Sequence, residues 1–97
     1  MPFPKQPKHD FTIPVINTVT PKQPGIYGIF NHSYCIYIAQ TEDIRESLLK
    51  HVNNDSDHSA WIFEHDPQYW QAAVVEKSQL SFWERILITE LKPLTRT

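Results

Sequence analysis

The sequence predicts an α+β fold, an antiparallel sheet flanked by helices, behind an extended Pro-rich N-terminal arm. Three observations carry this. Gly25–Ala39 reads as two strands around a short polar turn. Two later stretches place apolar residues at helical spacing behind a capping residue. Six of the eight prolines fall within residues 1–24. At 97 residues the chain is expected to form one domain with a thin core, residues 25–97, preceded by the arm, residues 1–24.

The arm comes first. Proline fixes φ and donates no hydrogen bond, so a segment with prolines at 2, 4, 7, 14, 21 and 24 is expected to be neither a regular helix nor a central strand. Phe11, Ile13, Val15, Ile16 and Val19 are apolar enough to lie across a core. Ile26–Phe30 and Tyr34–Ala39 follow, rich in aromatic and β-branched residues, with Asn31-His32-Ser33 as the turn. Alternation puts Tyr27 on a face with Ile29, and Tyr37 on a face with Cys35 and Ala39. Hairpin register decides whether the two tyrosine faces coincide.

Thr41 suits a helix N-cap, with Glu42 and Asp43 in the first turn and Ile44, Leu48 and Val52 at helical spacing after it. That helix is expected to end near Asn53-Asn54. Asp55–Ala60 reads as a polar loop. Trp61–Phe63 and Trp70–Val75 are candidate strands, separated by His65-Asp66-Pro67. Ser78 can cap a last helix running to about Lys92, where Pro93 stops it. The element order after the arm is β-β-α-β-α.

Composition excludes several classes. Hydrophobic residues are 40%, charged residues 21% and the net charge is -2, which rules out a disordered chain. No apolar run approaches the ~18 residues of a membrane span, and no membrane partner is expected. Met1–Asp10 lacks the apolar core of a signal peptide. Cys35, the one cysteine, forms no intrachain disulfide. A cytoplasmic, reducing location is expected. Residues 1–24 and 77–97 are weakly basic and residues 42–66 are acidic, a pattern that fits either two ends flanking a phosphate backbone or ordinary surface scatter.

The last helix holds the most informative residue. Leu80, Leu87 and Leu91 line one face, with Trp83 and Ile88 beside it. Glu84 falls within about 40° of that stripe by helix arithmetic. A carboxylate there must be satisfied. It either sits at the rim, paired with a base or a tyrosine hydroxyl, or points into a cleft as a metal ligand or catalytic acid. The five histidines form no His-x-x-x-His or Cys-x-x-Cys pair, so a structural zinc site is not expected. Asp55-Ser56-Asp57-His58 lacks the glycine and terminal glutamate of a calcium loop and reads as a solvated turn. Trp61, Tyr69, Trp70 and Trp83 read as core packing rather than base-stacking groups, and Cys35 as a buried apolar filler.

Gly25-Ile26-Tyr27, then Tyr37-Ile38-Ala39 ten residues on from the first tyrosine, then the link Gln40–Arg45, and finally a helix with Glu84 followed by Pro93, form an ordered set. Over residues 24–96 it resembles the GIY-YIG nuclease superfamily. The resemblance implies a small three-stranded antiparallel sheet flanked by helices. It implies cleavage of DNA phosphodiesters with one divalent ion, Mg²⁺ or Mn²⁺, held at Glu84, and no organic cofactor. It implies that Tyr27 helps to deprotonate the attacking water, that Tyr37 and His51 stand at matching family positions, and that a helical arginine stabilises phosphate charge.

The departures are specific. The arginine position is Ser47, the second glycine is Ala39, and the asparagine expected after Pro93 is Arg96. Arg45 points about 200° away from Ser47 on a helix. Lys50, one turn on from Ser47, is the better substitute, although without the two-pronged grip of arginine. Arg85 points away from the apolar face. Three functions follow from these features: a catalytically impaired domain that binds DNA, a protein partner or a second copy of itself; an active metal-dependent endonuclease that uses Lys50 or a residue from another chain; or an interaction module unrelated to nucleic acid. The missing arginine favours the first.

Overall fold

The structure, a computed structural model, describes residues 8–53 and 59–94. The first seven residues of the arm, the Asp55–His58 turn and Arg96 lie outside the described residues.

The hairpin forms as β2 (Gly25–Phe30) and β3 (Cys35–Thr41). Asn31 shapes its turn, its side-chain oxygen accepting from the backbone N–H groups of Ser33 and Tyr34, each at 2.8 Å. Ladder pairs run from Gly25↔Thr41 to Ile29↔Tyr37 and then to Phe30↔Cys35, so Ile36 is an extra residue on β3. This bulge breaks strict alternation. Tyr37 therefore packs with Ile36 on one side of the sheet, while Cys35 packs on the other, contrary to the face-sharing expected from alternation.

Four strands make the sheet, in the order β1 (His9–Asp10), β4 (Tyr69–Val74), β2, β3, all antiparallel. The expected number was three. The fourth is β1, supplied by the arm and paired with Trp70 and Tyr69 of β4. Central β2 is buried along its whole length because helices cover both faces.

The arm is not extended throughout. Ile13–Val19 forms α1, a helix of 7 residues. Pro14 stands in its first turn, where a missing N–H costs nothing, so its proline is compatible with the helix. Phe11 and Ile16 enter the core and Val15 packs against it, whereas Ile13 is exposed.

Helix α2 (Ile44–Val52) is capped by Asp43, not Thr41: the Asp43 carboxylate accepts from the Glu46 N–H at 3.0 Å. Thr41 still belongs to β3. Trp61–Phe63 is not a strand but lies in helix α3 (Ser59–Glu64), which buries Ser59 and Ile62. Aromatic and β-branched residues fit a strand intrinsically, but here one fully buried isoleucine on a helical turn decides the outcome. Ser78 lies within a 3₁₀ turn, Lys77–Gln79, that leads into α4 (Leu80–Leu91). The end agrees with expectation: Lys92 takes a left-handed conformation, φ 47°, and Pro93 follows.

Two apolar layers result. Phe11, Ile16, Ile44, Leu48 and Ile62 pack with Tyr27, Ile29, Ile36, Tyr37 and Trp70 on one face of the sheet. Leu80 and Leu87 of α4 pack with Ile26, Phe30, Cys35, Ile38 and Val75 on the other. Each such side chain removed from water is worth about 1.5–3 kcal/mol. Burial pushes the Cys35 thiol up to about 12, in keeping with an inert apolar filler. None of the described helices is long and apolar enough to cross a membrane.

Candidate functional site

Register answers the question left open by the hairpin. Tyr27 lies opposite Ala39 on β3 and opposite Ala72 on β4, and Tyr37 lies opposite Ile29. The tyrosines are thus diagonal neighbours on one face, with ring centroids 6.2 Å apart. Alanines on both flanking strands leave space around the Tyr27 ring. Ala39, in the place of the second glycine, is one of them.

Helix α2 adds His51 from its last turn. Its ring lies 5.6 Å from that of Tyr27 and 5.4 Å from that of Tyr37, and its Nε2 shares a 2.7 Å hydrogen bond with the Tyr27 hydroxyl. All three side chains are buried. Burial raises the Tyr27 pKa well above the ordinary phenol value, helped by the charge of Tyr37, a hydrogen bond to Tyr37 and the charge of Glu84. Tyr37 is raised for the same first reason and then by Glu84, with the hydrogen bond from Tyr27 opposing. Tyr27 therefore stays protonated near neutrality.

Glu84 is half-buried on α4, on the side facing β3. As the outermost strand, β3 has backbone N–H groups with no neighbouring strand to receive them. One of these, Gln40 N–H, donates to Glu84 Oε2 at 2.8 Å, and the Gln40 side-chain amide donates to Oε1 at 3.4 Å. The carboxylate is thus satisfied by a sheet edge, and among the described residues neither a base nor a tyrosine hydroxyl supplies the bonds that hold it. Its charge still reaches both tyrosines, raising their pKa values. Gln40 is the site residue that sequence reasoning missed. It acts through its main chain, which no residue type announces.

The helical positions separate into two groups. Ser47 faces the strand end, with its hydroxyl 2.6 Å from that of Thr41. Arg45 is turned toward the arm, where its Nε donates to the Thr20 carbonyl at 3.0 Å and its Nη2 to the same oxygen. Lys50 is exposed, its Nζ 3.2 Å from Glu46, in an open groove of about 300 Å³ that Lys22, Asp43 and Arg45 also line. Tyr27, Tyr37 and His51 are brought together. Glu84 is coupled to the tyrosines through its charge, and Lys50 is engaged on the outer side of α2.

Among the described residues no three His, Cys, Asp or Glu side chains converge as a metal cage. A single carboxylate still fits Mg²⁺, which keeps several waters and commonly takes one or two carboxylates. Glu84 retains lone pairs beyond those used by Gln40.

No family model matches the chain, and no curated protein matches it by sequence. Solved structures do match. The magnesium-bound GIY-YIG N-terminal endonuclease domain of UvrC from Thermotoga maritima aligns at TM-score 0.69 and 22% identity, over 81% of this chain and 89% of that one. Two point-mutant forms of that domain, each bound to its catalytic divalent cation, align at 0.69 and 0.68 with 22% identity, over 81% of this chain and 88% of theirs. The chain has a GIY-YIG-like fold. The GIY-YIG-like sheet here carries the arm's β1 as its fourth strand, and its Gly25-Ile26-Tyr27 segment opens central β2.

Proposed function

We propose that this GIY-YIG-like domain binds a nucleic-acid backbone along the edge of β3, where Glu84 meets Gln40 near the Tyr27–His51 pair, but cuts it poorly. The observation that carries the reading is Ser47. Its hydroxyl is spent on Thr41 at the position where phosphate charge calls for a cation, and Arg45 is committed to Thr20. A fixed cation at a reacting phosphate is worth a few kcal/mol, or about 100- to 1000-fold in rate.

Glu84 would hold one divalent ion, which when bound supplies charge neutralisation at phosphate and a more acidic water. Gln40 fixes the carboxylate that does this. Tyr27, kept protonated by burial, would donate toward a bound water or phosphate oxygen and exchange its proton with His51. The 25–97 unit carries this site, and the arm braces it from the α1 side. The intact Tyr27–His51 pair is what favours the alternative, an active endonuclease. A protein partner or second copy binding the same domain is the other use of an impaired site.

Calorimetric titration with Mn²⁺ tests the metal role. Weak one-site binding is expected for the wild type and its loss in Glu84→Ala. Equal binding by both proteins would remove Glu84 from the proposal.

A further inference from the structure

We propose that Lys77 is the phosphate-positioning cation of the seam between the β3 edge and α4 that leads to Glu84, and that Glu42 holds it in reserve by standing where a nucleic-acid phosphate would bind. This rests on the nucleic-acid reading above and adds to it the residue that grips the backbone.

Contacts across one seam carry the inference. The end of β3 and the start of α2 present Gln40 and Glu42. The 3₁₀ turn and the first turns of α4 present Lys77, Ser81 and Glu84, spaced four and three residues apart, as neighbours on one helical face are. Gln40 meets Ser81 and Glu84, with its Nε2 3.4 Å from Ser81 Oγ. Glu42 meets Lys77, with Oε1 2.8 Å from Nζ. Lys77 therefore lies on the row that ends at Glu84. Seven residues of helix span about 10 Å, and one strand of a duplex rises about 3.4 Å per nucleotide. A phosphodiester strand laid along the seam with one phosphate at Glu84 brings another to Lys77 within a few nucleotides.

The cations of α2 itself are engaged elsewhere, Arg45 with Thr20 and Lys50 with Glu46. The Lys77–Glu42 pair differs in its place, on the seam that leads to Glu84, whereas the equally exposed Lys50–Glu46 pair lies on the outer side of α2. Lys77 and Glu42 are largely exposed, 67% and 79%, and an exposed ion pair is held weakly. The Glu42 pKa is lowered and that of Lys77 raised, each chiefly by their mutual hydrogen bond, so both stay charged over the neutral range. A phosphodiester brings the same single negative charge and pair of anionic oxygen acceptors as the carboxylate it displaces. Glu42 thus competes with the ligand for Lys77, in a chain whose net charge of -2 gives no long-range attraction to DNA.

The test is fluorescence anisotropy with a short labelled DNA duplex and the full chain, in Ca²⁺ to suppress cleavage, over a range of salt. Lys77→Gln is expected to weaken binding several-fold and to reduce the slope of log affinity against log salt by about one. Glu42→Gln is expected to tighten binding, and the double variant to match Lys77→Gln. Lys8→Gln, the same charge change beside the Phe30 ring at the hairpin-tip end, should match the wild type. Equal weakening by Lys77→Gln and Lys8→Gln, or weakening by Glu42→Gln, overturns the inference while leaving the nucleic-acid reading intact. Absence of binding by the wild type and Glu42→Gln alike overturns that reading and the inference with it. Binding that appears only in Glu42→Gln supports both.

Discussion

Removing the Tyr27 hydroxyl deletes a 2.7 Å buried hydrogen bond to His51. Tyr27→Phe is therefore expected to cost about 1–2 kcal/mol, read as a lower urea midpoint at unchanged m-value. Its pH dependence has a definite sign. Burial lifts Tyr27 above its ordinary value of 10.0, so above that pH the unfolded chain loses a proton that the folded chain keeps. Stability is fully present below about pH 10 and falls as pH rises toward the raised folded value. Tyr27→Phe should flatten that fall without abolishing it, because Tyr37 is raised too. At this scale the sequence was partly legible. Helical rotation alone placed Glu84 near the apolar stripe of α4. Its partner was not legible, since the donor is the main-chain N–H of Gln40 at a sheet edge. The shared face of Tyr27 and Tyr37 was not legible either, because it depends on register, and the bulge at Ile36 shifts the outer part of β3.

At the scale of elements, Gly25 shows why a glycine opens β2. A Cβ at this position would run into the Ala73 carbonyl oxygen and come within 2.5 Å of Ile44 Cδ1. Backbone cannot give way cheaply, so Gly25→Ala is expected to destabilise by about 1–3 kcal/mol in chemical denaturation, although alanine suits a strand no worse than glycine. Wild-type stability in that variant would mean that β4 shifts freely. Helix α1 offers a second test. Ile16 is fully buried beneath it, and Ile16→Ala should cost about 2–5 kcal/mol, with a fall of several degrees or more in melting temperature. An unchanged melting curve would show the arm to be no part of the core. This element was misread because six prolines argued against any helix, while Pro14 sits in the first turn, where proline is harmless. Helix α3 was misread because Trp61-Ile62-Phe63 has strand chemistry in a segment too short to show a period. The hairpin and the last helix were legible because their patterns are long and their stops, Asn31 and Pro93, act locally.

Across the whole molecule, helices on both faces of one sheet leave the outer edge of β3 as the place where main chain, carboxylate and cation meet. Gln40, Glu84, Lys77, Glu42 and the Ser47–Thr41 pair gather along that edge and the link to α2. The tyrosines and His51 lie beneath it, on the α2 side of the sheet. Ordered motif spacing made the GIY-YIG-like fold legible before any contact was known, whereas the Gln40–Glu84 and Glu42–Lys77 contacts along its edge were not. The central claim is that the site keeps its Tyr27–His51 pair and the Glu84 carboxylate while Ser47 leaves the charge of the reacting phosphate without a cation. Nicking of supercoiled plasmid in Mg²⁺ or Mn²⁺ by the wild type, Ser47→Arg and Ser47→Arg with Glu84→Ala tests it most directly. The account predicts little or no nicking by the wild type, a higher rate in Ser47→Arg and none once Glu84 is also removed. Robust nicking by the wild type, lost in Glu84→Ala, would contradict it.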